Sequence, residues 1–397
     1  DTLASLGDYT TLRAKDLKVL AESKQNRDPA FVNHLAAEAV AGASAENVGV
    51  AGALAVGDSA SSTKASLGRN LIVTEAEDIS VVADNTSKLA AKAWAASKGG
   101  KVGVGASVAT IVSKNQYAAT IGSGSQILQS KNLDVIAMNR KVEGSVPFEF
   151  KDFESLDLQA LIGENNYYTE VIAGAGGDNV AVAGAFAVNV FEDETVAVIG
   201  ADSNVQSDGE ITVQAENDTT AKALSGGVAL KGQVGVGLAS SDIVNKSTTQ
   251  SLIERNVTLV SDDLSVTATA QQELAAFGVS AAGADKFGVA GVANVVHSEN
   301  TVEAAISDSA ELTNSGDLTL FAQNGFKVIN IAGGAAGGGT GGIGASVATT
   351  IMKNKTLAHP GRGAPAPVRG TARNWGCSFY QPALPARALA WVYGGRR

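Results

Sequence analysis

The 397-residue chain is poor in the residues that build reactive sites: one cysteine, two methionines, three histidines and 5% aromatics. A single thiol, Cys377, leaves neither a disulfide framework nor a thiolate metal cluster to be drawn. His34, His297 and His359 stand apart without repeated partners, so no metal centre or triad forms around them on paper. No run of about 18 uncharged apolar residues reads as a membrane helix. The opening residues, DTLASLGDYT, lack the basic and apolar regions of a secretory signal, so an exported protein would carry its signal outside this sequence. Basic charge is scarce as well. Net charge is −10, yet six arginines and no acid fall in the last 41 residues, leaving 24 basic against 40 acidic side chains in residues 1–356. An acidic body of this kind repels phosphate backbones, which argues against nucleic acid as a partner.

What is abundant is small or β-branched. Forty-five glycines and 45% hydrophobic residues describe an interior of regular strands with few large side chains. The same plain phrase recurs as VGVAGALAV from Val48, VGVGASVAT from Val102 and GIGASVATT from Gly342. Its starts at Val48, Val102, Val180, Val234, Phe287 and Gly341 are spaced 54, 78, 54, 53 and 54. A second landmark, ISVVADN from Ile79, returns at Leu133, Ile211, Leu264 and Leu318 with intervals of 54, 78, 53 and 54. A third starts at Tyr117, Thr195 and Thr301. The period is therefore about 54 residues, and internal repetition decides the fold class before anything else does. The long interval predicts an insertion of two dozen residues, 144–167, rich in phenylalanine.

Within each repeat apolar residues alternate, as strands require. In VAVAGAFAVNV, Val180, Val182, Phe186, Val188 and Val190 share one face and Ala181, Ala183, Ala185 and Ala187 the other. SDGE (207–210), SDD (261–263) and NSGD (314–317) read as turns. Helix-free strand repeats build solenoids or propellers, and the Trp-Asp signature of propeller blades is missing. The expectation is an all-β, parallel β-solenoid (β-helix) of about 54-residue repeats over residues 1–356, antiparallel stacking being the alternative. The 54-residue unit divides into three coils of about 18 residues or two of about 27, and three per repeat would give a rod on the order of 90 Å long at one strand spacing per coil.

The stretch VAVAGAFAVNVFEDETVAVIGADSNVQSDGEITVQAEN, residues 180–217, and its sister copies resemble the β-strand repeats of very large bacterial surface proteins, especially the leukotoxin-type filamentous adhesins. The resemblance covers roughly residues 15–356 and begins mid-array, since LKVLAES from Leu17 is a degenerate second landmark. It implies a secreted or outer-surface filament that contacts a host-cell surface protein or glycan without catalysis. A secreted cytotoxin and a carbohydrate-active solenoid enzyme are the alternatives. Residues 357–397 abandon the pattern, with five of the seven prolines, two of the three tryptophans and Cys377 together. This basic tail is expected to be disordered or out of frame.

Candidate sites are few. Glu192, Asp193 and Glu194 cluster in FEDET but have no counterpart in other copies, so a solvated charged turn is expected. GAGGDNVAV (174–182) approximates a calcium-roll nonapeptide, but one copy cannot share an ion with a neighbour, and a turn is the expectation. GGGTGG (337–342) precedes a strand, whereas a phosphate loop needs a helix. Asn85, Asn139, Asn217 and Asn324 read as turn residues, with Ala270 breaking the series. The best candidate for specific binding is the insertion, carrying Phe148, Phe150, Phe153 and Tyr167 with Tyr168 just beyond. No cofactor and no metal is implied. Self-association through open solenoid ends is expected, because unpaired strands there accept another chain.

Overall fold

The computed structural model describes residues 1–23, 33–141, 166–360, 373–376 and 391–393. Strands dominate, with no helix among the described residues. The chain winds as a parallel β-solenoid, and each 54-residue repeat makes one complete turn. The first turn holds β1 (Thr2–Ser5), β2 (Thr11–Leu12), β3 (Asp16–Ser23) and β4 (Asn33–Ala45). The second holds β5 (Val48–Leu67), β6 (Ile72–Val73) and β7 (Asp78–Gly99). The third holds β8 (Val102–Ile121), β9 (Gln126–Ser130), β10 (Asn132–Arg140) and β11 (Tyr167–Gly177). Then come β12 (Val180–Ile199), β13 (Asn204–Ser207) and β14 (Glu210–Leu230); β15 (Val234–Ile253), β16 (Thr258–Ser261) and β17 (Asp263–Ala284); and β18 (Phe287–Ile306), β19 (Glu311–Asn314) and β20 (Leu318–Gly338). β21 (Gly341–Pro360), β22 (Arg373–Gly376) and β23 (Trp391–Tyr393) follow.

Three sheets result. Sheet A runs β1-β5-β8-β12-β15-β18-β21-β23, sheet B is the six short strands, and sheet C holds β7, β14, β17 and β20 with their neighbours. The sequence landmarks are the register. Val48 pairs Val102, Val102 pairs Val180, Val180 pairs Val234, Val234 pairs Phe287 and Phe287 pairs Gly341. Ile79, Leu133, Ile211, Leu264 and Leu318 form the matching column of sheet C. The third landmark is off by one at its last copy: Thr301 pairs Thr248, so Val302 continues the column of Tyr117 and Thr195.

One turn per repeat corrects the rod. Seven turns rise about 4.8 Å each, so the stack is about 30 Å deep, while a 20-residue strand spans about 65 Å. The molecule is a broad slab. Strands average five or six residues in most proteins, and the polar run NKSTTQ (245–250) reads as a break; here it lies inside β15. It stays extended with two of its inward side chains, Asn245 and Ser247, hydrogen-bonded in the interior.

That interior has three zones. At the sheet B end, the three sheets enclose Ile79, Ile121, Ile127, Leu133 and Ile199, each 1% exposed or less, with their column mates. At the opposite end only sheets A and C face each other. There the alanine face points inward, Ala181, Ala183, Ala185 and Ala187 being fully buried, and the valine face points out. The cause is close approach. A Cβ placed on Gly103 would lie 2.1 Å from the Gly176 carbonyl oxygen, and one on Gly105 would lie 2.2 Å from that of Gly174. No Cβ fits at these two positions, and alanine or serine fills most of the inward places around them, with Val292 and Asn294 as larger exceptions opposite Gly278, so most of the branched residues take the outside.

Between the two zones runs a polar belt, and it corrects the reading of the asparagines as turn residues. Asn85 and Asn217 are buried mid-strand, Asn139 is buried one residue before the end of β10, and the three stack: Asn85 Nδ2 donates to Asn139 Oδ1 at 3.1 Å, and Asn139 Nδ2 donates to Asn217 Oδ1 at 2.8 Å. Asn217 Nδ2 then crosses to Ser247 Oγ in sheet A at 2.8 Å. Ala270 interrupts the column, and Asn324 beyond it has no partner for either side-chain polar atom. From the facing strands, Asn245 and Asn300 both donate to Gln272 Oε1, at 2.9 and 2.6 Å.

The turns lie where expected, at 207–210, 261–263 and 314–317 between sheets B and C. GAGGDNVAV and GGGTGG span the sheet C to sheet A turns. At the A-to-B corner Asn70, Gly124, Asp202, Asn256 and Ser309 all take positive φ, between 51° and 72°, the region short polar residues and glycine tolerate. The repeat persists past its expected limit, since β21 pairs with β18 through Pro360. Most of the tail beyond lies outside the described residues.

Candidate functional site

The described strands of sheet C are interrupted twice at the same point along their length. β10 ends at Arg140 opposite Thr86, and β11 resumes at Tyr167 opposite Leu89. Two turns earlier, on the other side of β7, β3 ends at Ser23 opposite Asn85 and β4 resumes at Asn33 opposite Ser87. The shorter interruption, 24–32, escaped the sequence reading because the Leu17 landmark was too degenerate to fix its interval. Phe148, Phe150 and Phe153 lie outside the described residues. Tyr167 and Tyr168 do not: both belong to β11 and are 2% exposed, so they offer no contact area to a partner, a correction to their placement in a binding loop.

Alternation sends the two tyrosines to opposite faces. Tyr167 enters the polar belt, stacks on Phe191 with centroids 4.4 Å apart, and donates to Asp193 Oδ1 at 2.9 Å. Asn115 Nδ2 donates to Asp193 Oδ1 at 2.8 Å and Thr219 Oγ1 reaches Oδ2 at 3.4 Å. These donors favour the carboxylate, but burial outweighs them and holds the Asp193 carboxyl above its ordinary range. Burial, reinforced by Asp193, likewise pushes the Tyr167 phenol up.

Tyr168 points the other way. Its hydroxyl donates to Glu170 Oε2 at 2.7 Å, and Lys92 Nζ lies 3.6 Å from the same oxygen and 5.8 Å from the Tyr168 ring centre. Glu170 is fully buried and Lys92 7% exposed. Burial lowers the Lys92 pKa against the opposing pull of Glu170. Burial together with Lys92 and Lys222 lowers the Lys88 pKa to about 8. A buried charge cluster therefore marks the point of the interruptions.

The FEDET acids are separated by the strand rather than gathered in a turn. Glu192 and Glu194 face outward and Asp193 inward, so they cannot act on one substrate atom. Glu192 sits in a column of alternating charge, 3.5 Å from Lys114 and 3.2 Å from Lys246, with Glu299 and Lys353 continuing it at 2.5 Å. Such exposed pairs add little stability, but their alternation disfavours other registers. His297 lies 3.3 Å from Glu299 and His359 3.1 Å from Glu303, each beside a single acid.

A second surface went unseen in the sequence, because alternation separates two faces without saying which is outside. The outer face of sheet A from Val48 to the charged column is mostly apolar, with Asp58, Thr110, Ser240, Asp242, His297 and Thr349 set among valine, leucine, alanine and glycine. Val50, Val104, Val182, Val236, Val289 and Ile343 form one continuous ridge, by register. Leu54, Val108, Phe186 and Val347 stand on a second, which drops to Ser240 and Ala293 between Phe186 and Val347. Between them Gly52, Ala106, Gly184, Gly291 and Ala345 make a groove, interrupted by Leu238, whose Cδ2 lies over Gly291. Val50 is 64%, Leu54 65%, Phe186 43% and Val347 47% exposed.

Comparison with protein-family models, with curated proteins and with solved structures finds no match. No helix among the described residues is long and apolar enough to cross a membrane. The fold defines the class: a parallel β-solenoid of 54-residue turns.

Proposed function

We propose that the chain is a structural, non-catalytic section of a secreted bacterial surface filament that attaches to a host-cell surface protein or glycan. The observation that carries this reading is the register. From β12 to β20 each turn repeats its neighbour strand for strand over sheets A and C, so each rung presents the next with the same hydrogen-bonding edge. Such a unit lengthens without a new design. The likeness of residues 180–217 to the repeats of leukotoxin-type adhesins supplies the surface location. With one turn per repeat, the unit contributes broad stiff faces more than reach, and the interrupting segments at sheet C are where contacts specific to this section would be made.

Edges bear on assembly. Among the described residues β5 is paired on its outer side only at 63–66, by β1, and β21 only at 342–344, by β23. Open parallel edges of this kind accept further strands.

The test presents the purified chain, fluorescently labelled, to cultured epithelial cells and to a panel of oligosaccharides. Saturable cell binding without lysis, and without cleavage of any oligosaccharide, is the expected result. Lysis would transfer the assignment to a cytotoxin, and cleavage to a carbohydrate-active enzyme.

A further inference from the structure

We infer that the outer apolar face of sheet A is an interface between two copies of this chain, packed sheet against sheet. The inference does not rest on the filament reading. Its starting point is the inverted thin half of the slab, where glycine and alanine fill the inside and valine, leucine and phenylalanine are left on the outside. Monomeric proteins rarely expose a contiguous apolar patch beyond a few hundred Å². Here the patch covers six strands and about ten residues along each, roughly 29 Å by 33 Å, or on the order of 950 Å². A stable dimer needs about 800 Å² per partner.

The shape selects the occupant. Two parallel ridges, one through Val182 and one through Phe186, flank the groove at Gly184. A ridge of one copy fits the groove of another, so the surface is complementary to itself, as a two-fold interface requires. Flat sheets meet in this manner at about 10 Å with their side chains interleaved. Charge selects it too. On a chain of net charge −10, copies repel each other over most of their surface, but the ionisable groups on this face are Asp58, Asp242 and His297 alone among the described residues. The alternating column of Lys114, Glu192, Lys246, Glu299 and Lys353 bounds it with mixed charge.

The test is sedimentation velocity on the full chain, wild type beside the double variant Val182→Glu/Val236→Glu and the control Thr212→Glu on the polar outer face of sheet C. Both valines are half-buried on the outside, so circular dichroism and the melting curve should be retained. The wild type and the control are expected to sediment as dimers, and the double variant as a monomer with dimer affinity weakened at least about 100-fold. A monomeric wild type at tens of micromolar overturns the inference. So does an assembly that the glutamates leave intact: open-ended growth of that kind would belong to the strand edges. A third contrary result is wild-type binding to phosphatidylcholine vesicles that the glutamates abolish without changing the mass in solution, which would assign the face to lipid. Cell attachment is a separate readout, so its failure leaves this result standing.

Discussion

Gly105→Val is expected to destabilise the protein by about 3 kcal/mol or more, among the largest single-residue effects available in this fold. Ordinary over-packing pushes one side chain into others that can turn aside. At Gly105 the first atom met is the carbonyl oxygen of Gly174, 2.2 Å from the new Cβ, and it belongs to a strand hydrogen-bonded on both sides. The facing sheets must part locally, which withdraws contact from the buried alanines nearby. Ala106→Val, one residue on, points outward from an exposed position and should change stability by no more than about 0.5 kcal/mol. Urea unfolding followed by circular dichroism separates the two. Equal, small effects would mean that sheets A and C do not meet at backbone distance there.

The second large effect centres on Asp193 and carries a pH signature. Asp193→Ala leaves the Tyr167 hydroxyl without its acceptor in a buried belt and takes one acceptor each from Asn115 and Thr219, and should cost about 2–4 kcal/mol. Asp193→Asn keeps the acceptor and removes the buried charge, so it should stabilise the fold by about 1–2 kcal/mol at pH 8. The sign follows from linkage. Burial raises the folded pKa above the unfolded one, so the folded chain holds this proton more tightly and gains stability as pH falls through the folded pKa. The advantage of the asparagine variant therefore appears as pH rises above the unfolded carboxyl value, about 3.9, and levels off once the folded group has ionised. Melting temperatures across pH 4–8 give the comparison. A variant no more stable than wild type at pH 8 would mean that the belt holds the carboxylate without penalty.

Much of the fold was legible because repetition is a spatial statement. Spacings of 54 and 78 became rung pairings, and the Val48 and Ile79 landmarks became columns, since a parallel stack preserves whatever recurs at fixed intervals. What the period could not say was how many strands one turn contains. NKSTTQ and the strand-end asparagines resemble turns in composition, and only the facing sheet makes them interior hydrogen-bonding groups. The alternation of Val180 and Ala181 was equally plain, but which residue is buried depends on sheet separation, a tertiary quantity set at glycines such as Gly103 and Gly105. Tyr167 and Tyr168 were read as loop aromatics because the insertion was bounded from spacing alone, and the strand resumes at its last residue.

The central claim, one solenoid turn per 54 residues, is tested most directly by a single distance. Ser80 and Thr319 occupy one column of sheet C, four rungs apart. Spin labels at these two positions, in a Cys377→Ser background, measured by pulsed dipolar spectroscopy should report a separation of about 20 Å, four strand spacings. A separation near 58 Å, as three coils per repeat would impose, would contradict the account.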